Sequence, residues 1–131
     1  MRELDLLAHI YRTAGQPTHR VTIPPGDDMG AVRIGEAQVL VTVDQLADGV
    51  HLDLAATPLE KVARKAVARS LSDVAAMAAL PVGAVVAASL PRDFGEGRAT
   101  RLCDAIHAVG TTFDCPVFGG DISTWDHPML L

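Results

Sequence analysis

Five aspartates stand where this chain turns into or out of regular structure. Asp27 and Asp28 lie adjacent in Pro25-Gly26-Asp27-Asp28-Met29-Gly30, a Pro/Gly-framed turn. Asp44 closes Thr42-Val43-Asp44, Asp73 closes Leu71-Ser72-Asp73, and Asp121 closes Gly119-Gly120-Asp121. A hard cation such as magnesium takes oxygen ligands in a near-octahedral set, commonly from a few carboxylates together with substrate phosphates. The short aspartate side chain holds such an ion close to the backbone, and a neighbouring glycine such as Gly120 leaves room for a phosphate to approach. The chemistry this set supports is phosphoryl transfer, which needs positioning and charge neutralisation more than a protein nucleophile.

Each residue also has a plainer reading. Asp27 and Asp121 taken singly are turn formers, Asp28 a solvated neighbour, and Asp44 the end of a strand. Asp73 falls within the apolar arc of a helix, where a carboxylate needs a partner. It has an arginine one turn earlier, at Arg69, and the helix has a possible break near Ser70 or Ser72 that would put Asp73 in a first turn. His51, after Gly49-Val50, is either a solvent-facing loop residue or a substrate contact. The face carrying Lys61, Arg64, Lys65 and Arg69 reads as solvated rather than as a phosphate-binding patch. Trp125 is either an exposed loop residue or part of a contact surface. The chain has no G-x-x-x-x-G-K-[ST] and no G-x-G-x-x-G, so phosphates would be held through metal rather than by a glycine-rich loop with a lysine. An aspartate pair binding calcium is a further reading, but the spacing is not that of an EF-hand loop.

The elements that must position these groups follow from apolar spacing. Leu4, Leu7, Ala8 and Tyr11 mark one helix face. Ala31–Ile34 and Gln38–Val43 read as strands joined around Gly35-Glu36, and the β-branched run Val39–Val43 predicts a central strand. Thr57-Pro58-Leu59-Glu60 predicts a helix start with a capping box, followed by about six turns of apolar stripe from Leu59 to Ala78. Gly83–Leu90 reads as a buried strand, Ala99–Phe113 as a helix, and Pro116–Phe118 as a short strand running into Gly119-Gly120-Asp121. The resulting class is α+β, with helices on one face of a mostly antiparallel or mixed β-sheet.

Composition bounds the remaining choices. The 131 residues suit one domain, and 49% hydrophobic with 21% charged residues describes a chain with a real core. A net charge of −5 without a basic run argues against a nucleic-acid or anionic-membrane surface. The two cysteines, Cys103 and Cys115, form no C-x-x-C and read as reduced and buried. No apolar run approaches the roughly 20 residues of a membrane span, and the acidic start is not that of a targeting peptide, so the default compartment is the cytoplasm. The last residues, Pro128-Met129-Leu130-Leu131, read as a strand cut short, which predicts a piece of a longer protein.

Taken in order, Gly26-Asp27-Asp28, Thr42-Val43-Asp44, Asp48-Gly49-Val50-His51, Lys65-Ala66-Val67-Ala68, Leu71–Met77 and Gly119-Gly120-Asp121 resemble the N-terminal half of the thiamine-monophosphate kinases, a family of the aminoimidazole-ribonucleotide-synthetase-like superfamily. The resemblance spans nearly the whole chain and rests on the set rather than on any one motif. It implies that residues 1–131 are an N-terminal ATP- and magnesium-binding domain lacking its C-terminal partner. The implied reaction is ATP-dependent phosphorylation of thiamine monophosphate to thiamine diphosphate. It further implies that Asp27, Asp28, Thr42, Asp44, Asp73 and Asp121 bind magnesium, that Gly120 and Asp121 contact the nucleotide, that His51 lies near the substrate phosphate, and that the protein is a homodimer whose sheets pair across the interface. Val43, Ser70 and Ile122 depart from the family pattern, which commonly has Thr, Asn and Thr there; Ser123 is a substitute for the last. Sister activities of the superfamily remain as alternatives. Selenophosphate synthetase carries a reactive Cys- and Lys-bearing segment not found before Asp27, and the hydrogenase-maturation dehydratase is diagnosed by a C-terminal cysteine. An inactive metal-binding dimerisation fragment is the non-catalytic alternative.

Overall fold

A computed structural model describes residues 2–131, and the chain divides into two compact units. The first comprises residues 1–43 and Asp73–Ala79; the second comprises Asp44–Ser72 and Leu80–Leu131. The division falls inside one helix, between Ser72 and Asp73.

The first unit holds helix α1 (Glu3–Thr13) and a three-stranded antiparallel sheet of β1 (Val21–Ile23), β2 (Gly30–Ile34) and β3 (Ala37–Val41), in that spatial order. The β2–β3 hairpin turns on Gly35-Glu36 as its sequence predicts, with Ile34 opposite Ala37 and Gly30 opposite Val41. Gly35 has φ 60°, the positive φ that a two-residue hairpin turn favours. The expectation that the Val39–Val43 run is central is corrected: β3 is an edge strand, ends at Val41, and leaves Val41 and Val43 exposed. Helix α1 exposes Leu4 and Tyr11 and has no buried residue.

The second unit is built around a parallel β-α-β arrangement. Strand β4 (Ala84–Pro91) pairs in parallel with β5 (Val117–Trp125), and α3 (Glu96–Thr112) makes the crossover. The sheets are therefore separate, one antiparallel and one parallel. Strand β5 is much longer than the three residues its sequence predicts, because Gly119-Gly120 continues the ladder instead of ending it, Gly120 lying opposite Val86. A Cβ at Gly120 would sit 1.9 Å from the Val86 carbonyl oxygen, so only glycine permits this approach. Met129–Leu131 follows as a short extended segment; Leu130 bridges to both Ala47 and Ser89 with antiparallel geometry.

Helix α2 (Leu59–Ala76) is continuous, with no break at Ser70 or Ser72. Its first turns bury Leu59, Val62 and Ala63 against Leu46, Leu90, Phe94, Leu102, Ile106 and Met129, which form the core of the second unit. The predicted capping box is not made. The Glu60 carboxylate instead accepts from Arg101 Nε on α3 at 2.7 Å, which holds the Glu60 carboxyl below its ordinary range and raises the Arg101 value. The helix ends at Ala76, and two residues on Ala78 takes a left-handed φ of 50° while Ala79 N–H donates to the Val74 carbonyl. Of the two cysteines only Cys115 is buried, and desolvation followed by the Asp114 charge pushes its thiol up; Cys103 is exposed, contrary to expectation. Among the described residues no helix is long and apolar enough to cross a membrane.

Candidate functional site

Asp27 and Asp28 lie in the turn that leads into β2, and both are exposed. Asp27 Oδ1 accepts from the backbone N–H of the next residue, Asp28, at 2.9 Å. The register then decides what the turn faces. Gly30 opens β2 opposite Val41, the last residue of β3, so the aspartate turn enters the hairpin at the end where Thr42 leaves it. From that end Thr42 Oγ1 donates to Asp73 Oδ2 at 2.6 Å, in the short range of a charge-assisted O–H···O⁻ bond. Asp73 therefore has a partner, but it is neither Arg69 nor a set of first-turn backbone donors. It stands in the last turn of α2, and a hydroxyl 31 residues distant in sequence satisfies it. The register thus puts the Asp27-Asp28 turn and Thr42 at the same end of the hairpin, and Thr42 ties Asp73 to that end.

In the second unit Asp44 is half-buried, and its Oδ1 accepts from Arg69 Nη2 at 2.8 Å. The sequence reading placed Arg69 on a solvated face. The structure keeps Lys61, Arg64 and Lys65 exposed but draws Arg69 in, with its Nε buried and without a hydrogen-bond partner among the described residues. Lys65 Nζ donates to the His51 carbonyl, tying α2 to the histidine loop. His51 Nδ1 accepts from the Ala47 N–H at 2.9 Å. An accepting Nδ1 carries no proton, so the neutral ring bears its N–H on Nε2 as a donor. Asp48 Oδ1 accepts from the Leu54 N–H at 2.8 Å and closes the same loop. The loop is thus fixed by side chain to backbone bonds at both ends, rather than being an unconstrained surface turn.

Gly120 and Asp121 sit inside β5, not at a strand end, with Asp121 opposite Ala87 and exposed. They border a cavity of about 530 Å³ whose other walls include Val86, Ala88, Leu102, Ile106 and Val117. The two residues after Asp121 diverge: Ile122 is exposed, while Ser123 Oγ meets Ser89 Oγ at 3.0 Å and is spent on the strand pair. Trp125 is half-buried at the end of β5; its Nε1 donates to the Pro128 carbonyl and its ring meets His127 edge-on at 5.2 Å.

The donor set can be tested against magnesium. Every candidate atom is a carboxylate or hydroxyl oxygen, the hard donor type that magnesium selects. Among the described residues no three His, Cys, Asp or Glu side chains already surround one point. Sparse protein ligation is what magnesium ordinarily tolerates, since it keeps several waters and draws further oxygens from phosphate. The residues fit the ion by chemistry.

Two of these features were not legible in the sequence. Arg69 carried a weak signal, its placement one helical turn from Asp73, but the arginine turns to Asp44 instead. The Lys65–His51 bond had none, because a contact from a side chain to a loop carbonyl follows no sequence period.

Residues 26–130 match the family described as AIR synthase related protein, N-terminal domain. Thiamine-monophosphate kinase of Synechococcus elongatus is 36% identical over 86 residues, covering 66% of this chain and 26% of that protein. Thiamine-monophosphate kinase of Rhodopirellula baltica is 31% identical over 138 positions, covering 98% of this chain and 43% of that protein. Among solved structures, AaThiL complexed with AMPPCP and TMP superposes with a TM-score of 0.83 at 28% identity, covering 99% of this chain and 41% of that one. The thiamine monophosphate kinase of Aquifex aeolicus gives a TM-score of 0.78 at 27% identity, with the same coverage. The chain spans well under half the length of these relatives.

Proposed function

We propose that this chain, which belongs to the AIR synthase related family and matches its N-terminal domain, is the magnesium–nucleotide domain of a thiamine-monophosphate kinase. The reaction proposed is direct in-line transfer of the γ-phosphoryl group of ATP to thiamine monophosphate, giving thiamine diphosphate without a covalent enzyme intermediate. The observation that carries the reading is the Thr42–Asp73 bond at the hairpin end where the Asp27-Asp28 turn enters. The likeness to a structure holding AMPPCP and TMP supports it, as do the relatives named for this activity.

Asp27, Asp28, Thr42 and Asp73 of the first unit, and Asp44 and Asp121 of the second, are the proposed magnesium ligands. When bound, magnesium would neutralise the negative charge of the nucleotide phosphates. Thr42 donates its proton to Asp73 Oδ2, which fixes that carboxylate's rotamer and leaves a hydroxyl lone pair and the second oxygen as donors. Gly120 keeps the backbone bare beside Asp121, so a phosphate approaches the strand without meeting a side chain. His51 presents Nε2–H as a donor from a loop braced by Ala47, Lys65 and Asp48, which suits a contact with the acceptor phosphate. The protein is proposed to act as a homodimer in the cytoplasm.

The coverage of the relatives favours one second reading: the domain alone binds magnesium and pairs with a copy of itself but does not turn over. One assay separates the two. The chain is incubated with ATP, magnesium and thiamine monophosphate, and thiamine diphosphate is separated from the monophosphate by anion-exchange chromatography and measured as its fluorescent thiochrome derivative. Product formation that EDTA abolishes and that Asp28→Asn removes supports the kinase. Binding of magnesium and nucleotide with no product supports the non-catalytic domain, and binding of neither overturns both.

A further inference from the structure

Of the six residues proposed as magnesium ligands, Asp44 alone is already neutralised by the protein. Arg69 Nη2 lies 2.8 Å from its Oδ1, and the two side chains are 35% and 25% exposed. Among the described residues the other ion pairs join Arg2 to Asp5, Arg92 to Asp126 and Arg101 to Glu60, so no Lys, Arg or His pairs with Asp27, Asp28, Asp73 or Asp121. A second observation concerns the far side of the guanidinium. Arg69 Nε is buried and has no hydrogen-bond partner among the described residues. Burying an unsatisfied N–H is unfavourable, so general hydrogen bonding does not account for an arginine at this position. Its one charged partner, Asp44, does. Half-burial also strengthens the pair over a fully solvated one, because water screens it less.

We infer that Arg69 is the resident counter-cation of Asp44, competing with free divalent cation for that carboxylate and so biasing the site toward the metal–nucleotide complex. A free cation must displace the guanidinium or bind beside a like charge. A metal–nucleotide complex carries a net negative charge, which the same guanidinium attracts rather than repels. Arg69 would thus be a specificity-determining residue for the form in which magnesium enters. This rests on the reading of Asp44 as a metal ligand.

Manganese(II) is the probe, counted as free ion by electron paramagnetic resonance during titration of the full chain, first alone and then with AMPPCP. Arg69→Met removes the charge and the buried N–H while keeping an unbranched stem. It is expected to bind free manganese about tenfold more tightly than the wild type, from loss of one nearby like charge, and to gain nothing for manganese–AMPPCP. Arg69→Lys, which keeps the charge, is expected to stay near wild type. Free-manganese affinity in Arg69→Met that is unchanged or weaker overturns the inference. Asp44→Asn separates the two levels. If it weakens manganese binding while Arg69→Met leaves it unchanged, Asp44 is a ligand and only the role of Arg69 fails. If neither the wild type nor Arg69→Met binds manganese, both readings fail. Circular dichroism establishes that each variant folds, and Arg69→Gln, read by the same criteria, replaces Arg69→Met if that variant does not.

Discussion

A single hydroxyl organises the first unit's share of the site. Thr42 sits one residue beyond β3 and engages Asp73 at 2.6 Å, so it restrains a carboxylate that would otherwise rotate freely at the end of α2. Removing the donor and removing the charge should therefore separate. Thr42→Val is expected to lower stability by about 1.5–3 kcal/mol, the range for a lost hydrogen bond to a charged group, and to reduce turnover of a competent enzyme roughly tenfold through lost orientation. Asp73→Asn retains the shape but removes the charge, and its cost should be larger, about 10²–10³ in turnover. Chemical denaturation and initial-rate measurements check both. Equal effects from the two substitutions would mean that the Thr42 hydroxyl matters to the site as much as the Asp73 charge. At this scale the sequence singled out the carboxylates but not their partners. It assigned Asp73 to Arg69 or to helix-end donors because those are its neighbours along the helix, whereas the partner used comes from a distant strand end. Thr42 was reached only through the family resemblance.

Elements show the same division between local and distant causes. Helix α2 was legible because its period is local and repeats over many turns, and the β2–β3 hairpin because Gly35-Glu36 marks its turn. Strand β5 was underestimated because two adjacent glycines signal a break in a sequence. In the fold they are the means by which β5 lies tightly against β4. Gly120→Ala should accordingly destabilise the protein by about 3 kcal/mol, since the clash is with backbone that cannot yield. The helix C-terminus predicts the opposite sign. Ala78 holds a left-handed conformation that glycine adopts without strain, so Ala78→Gly should stabilise by about 1 kcal/mol. Equilibrium denaturation of the two variants checks the pair. The Glu60–Arg101 contact gives a pH dependence. The Glu60 value is lowered from 4.5 on folding, so its contribution is present above that value and is lost as pH falls through the lower folded one. The difference in melting temperature between wild type and Glu60→Gln should therefore shrink on acidification below about pH 4.

At the scale of the whole molecule, β3 is an edge strand that presents apolar side chains. Strand β3 ends its sheet with Val39 and Val41 exposed, and Ile34 and Val43 flank them. An apolar, unpaired edge of this kind invites another strand, which accords with the proposed homodimer and its pairing of sheets. The same feature explains why β3 was expected to be central: a run of β-branched residues signals burial on both faces without saying which chain supplies the cover. Val41→Lys should convert a dimer to a monomer in sedimentation equilibrium while preserving the far-ultraviolet spectrum. A wild-type monomer at all concentrations would remove this edge as an interface.

At the centre of the proposed function, aspartate carboxylates hold nucleotide phosphates through magnesium. Isothermal titration of the chain with AMPPCP, with magnesium and then with excess EDTA, tests it most directly. Binding that requires magnesium and is lost in both Asp28→Asn and Asp73→Asn is the predicted result. Binding of equal strength in EDTA, or undiminished in both variants, would contradict it.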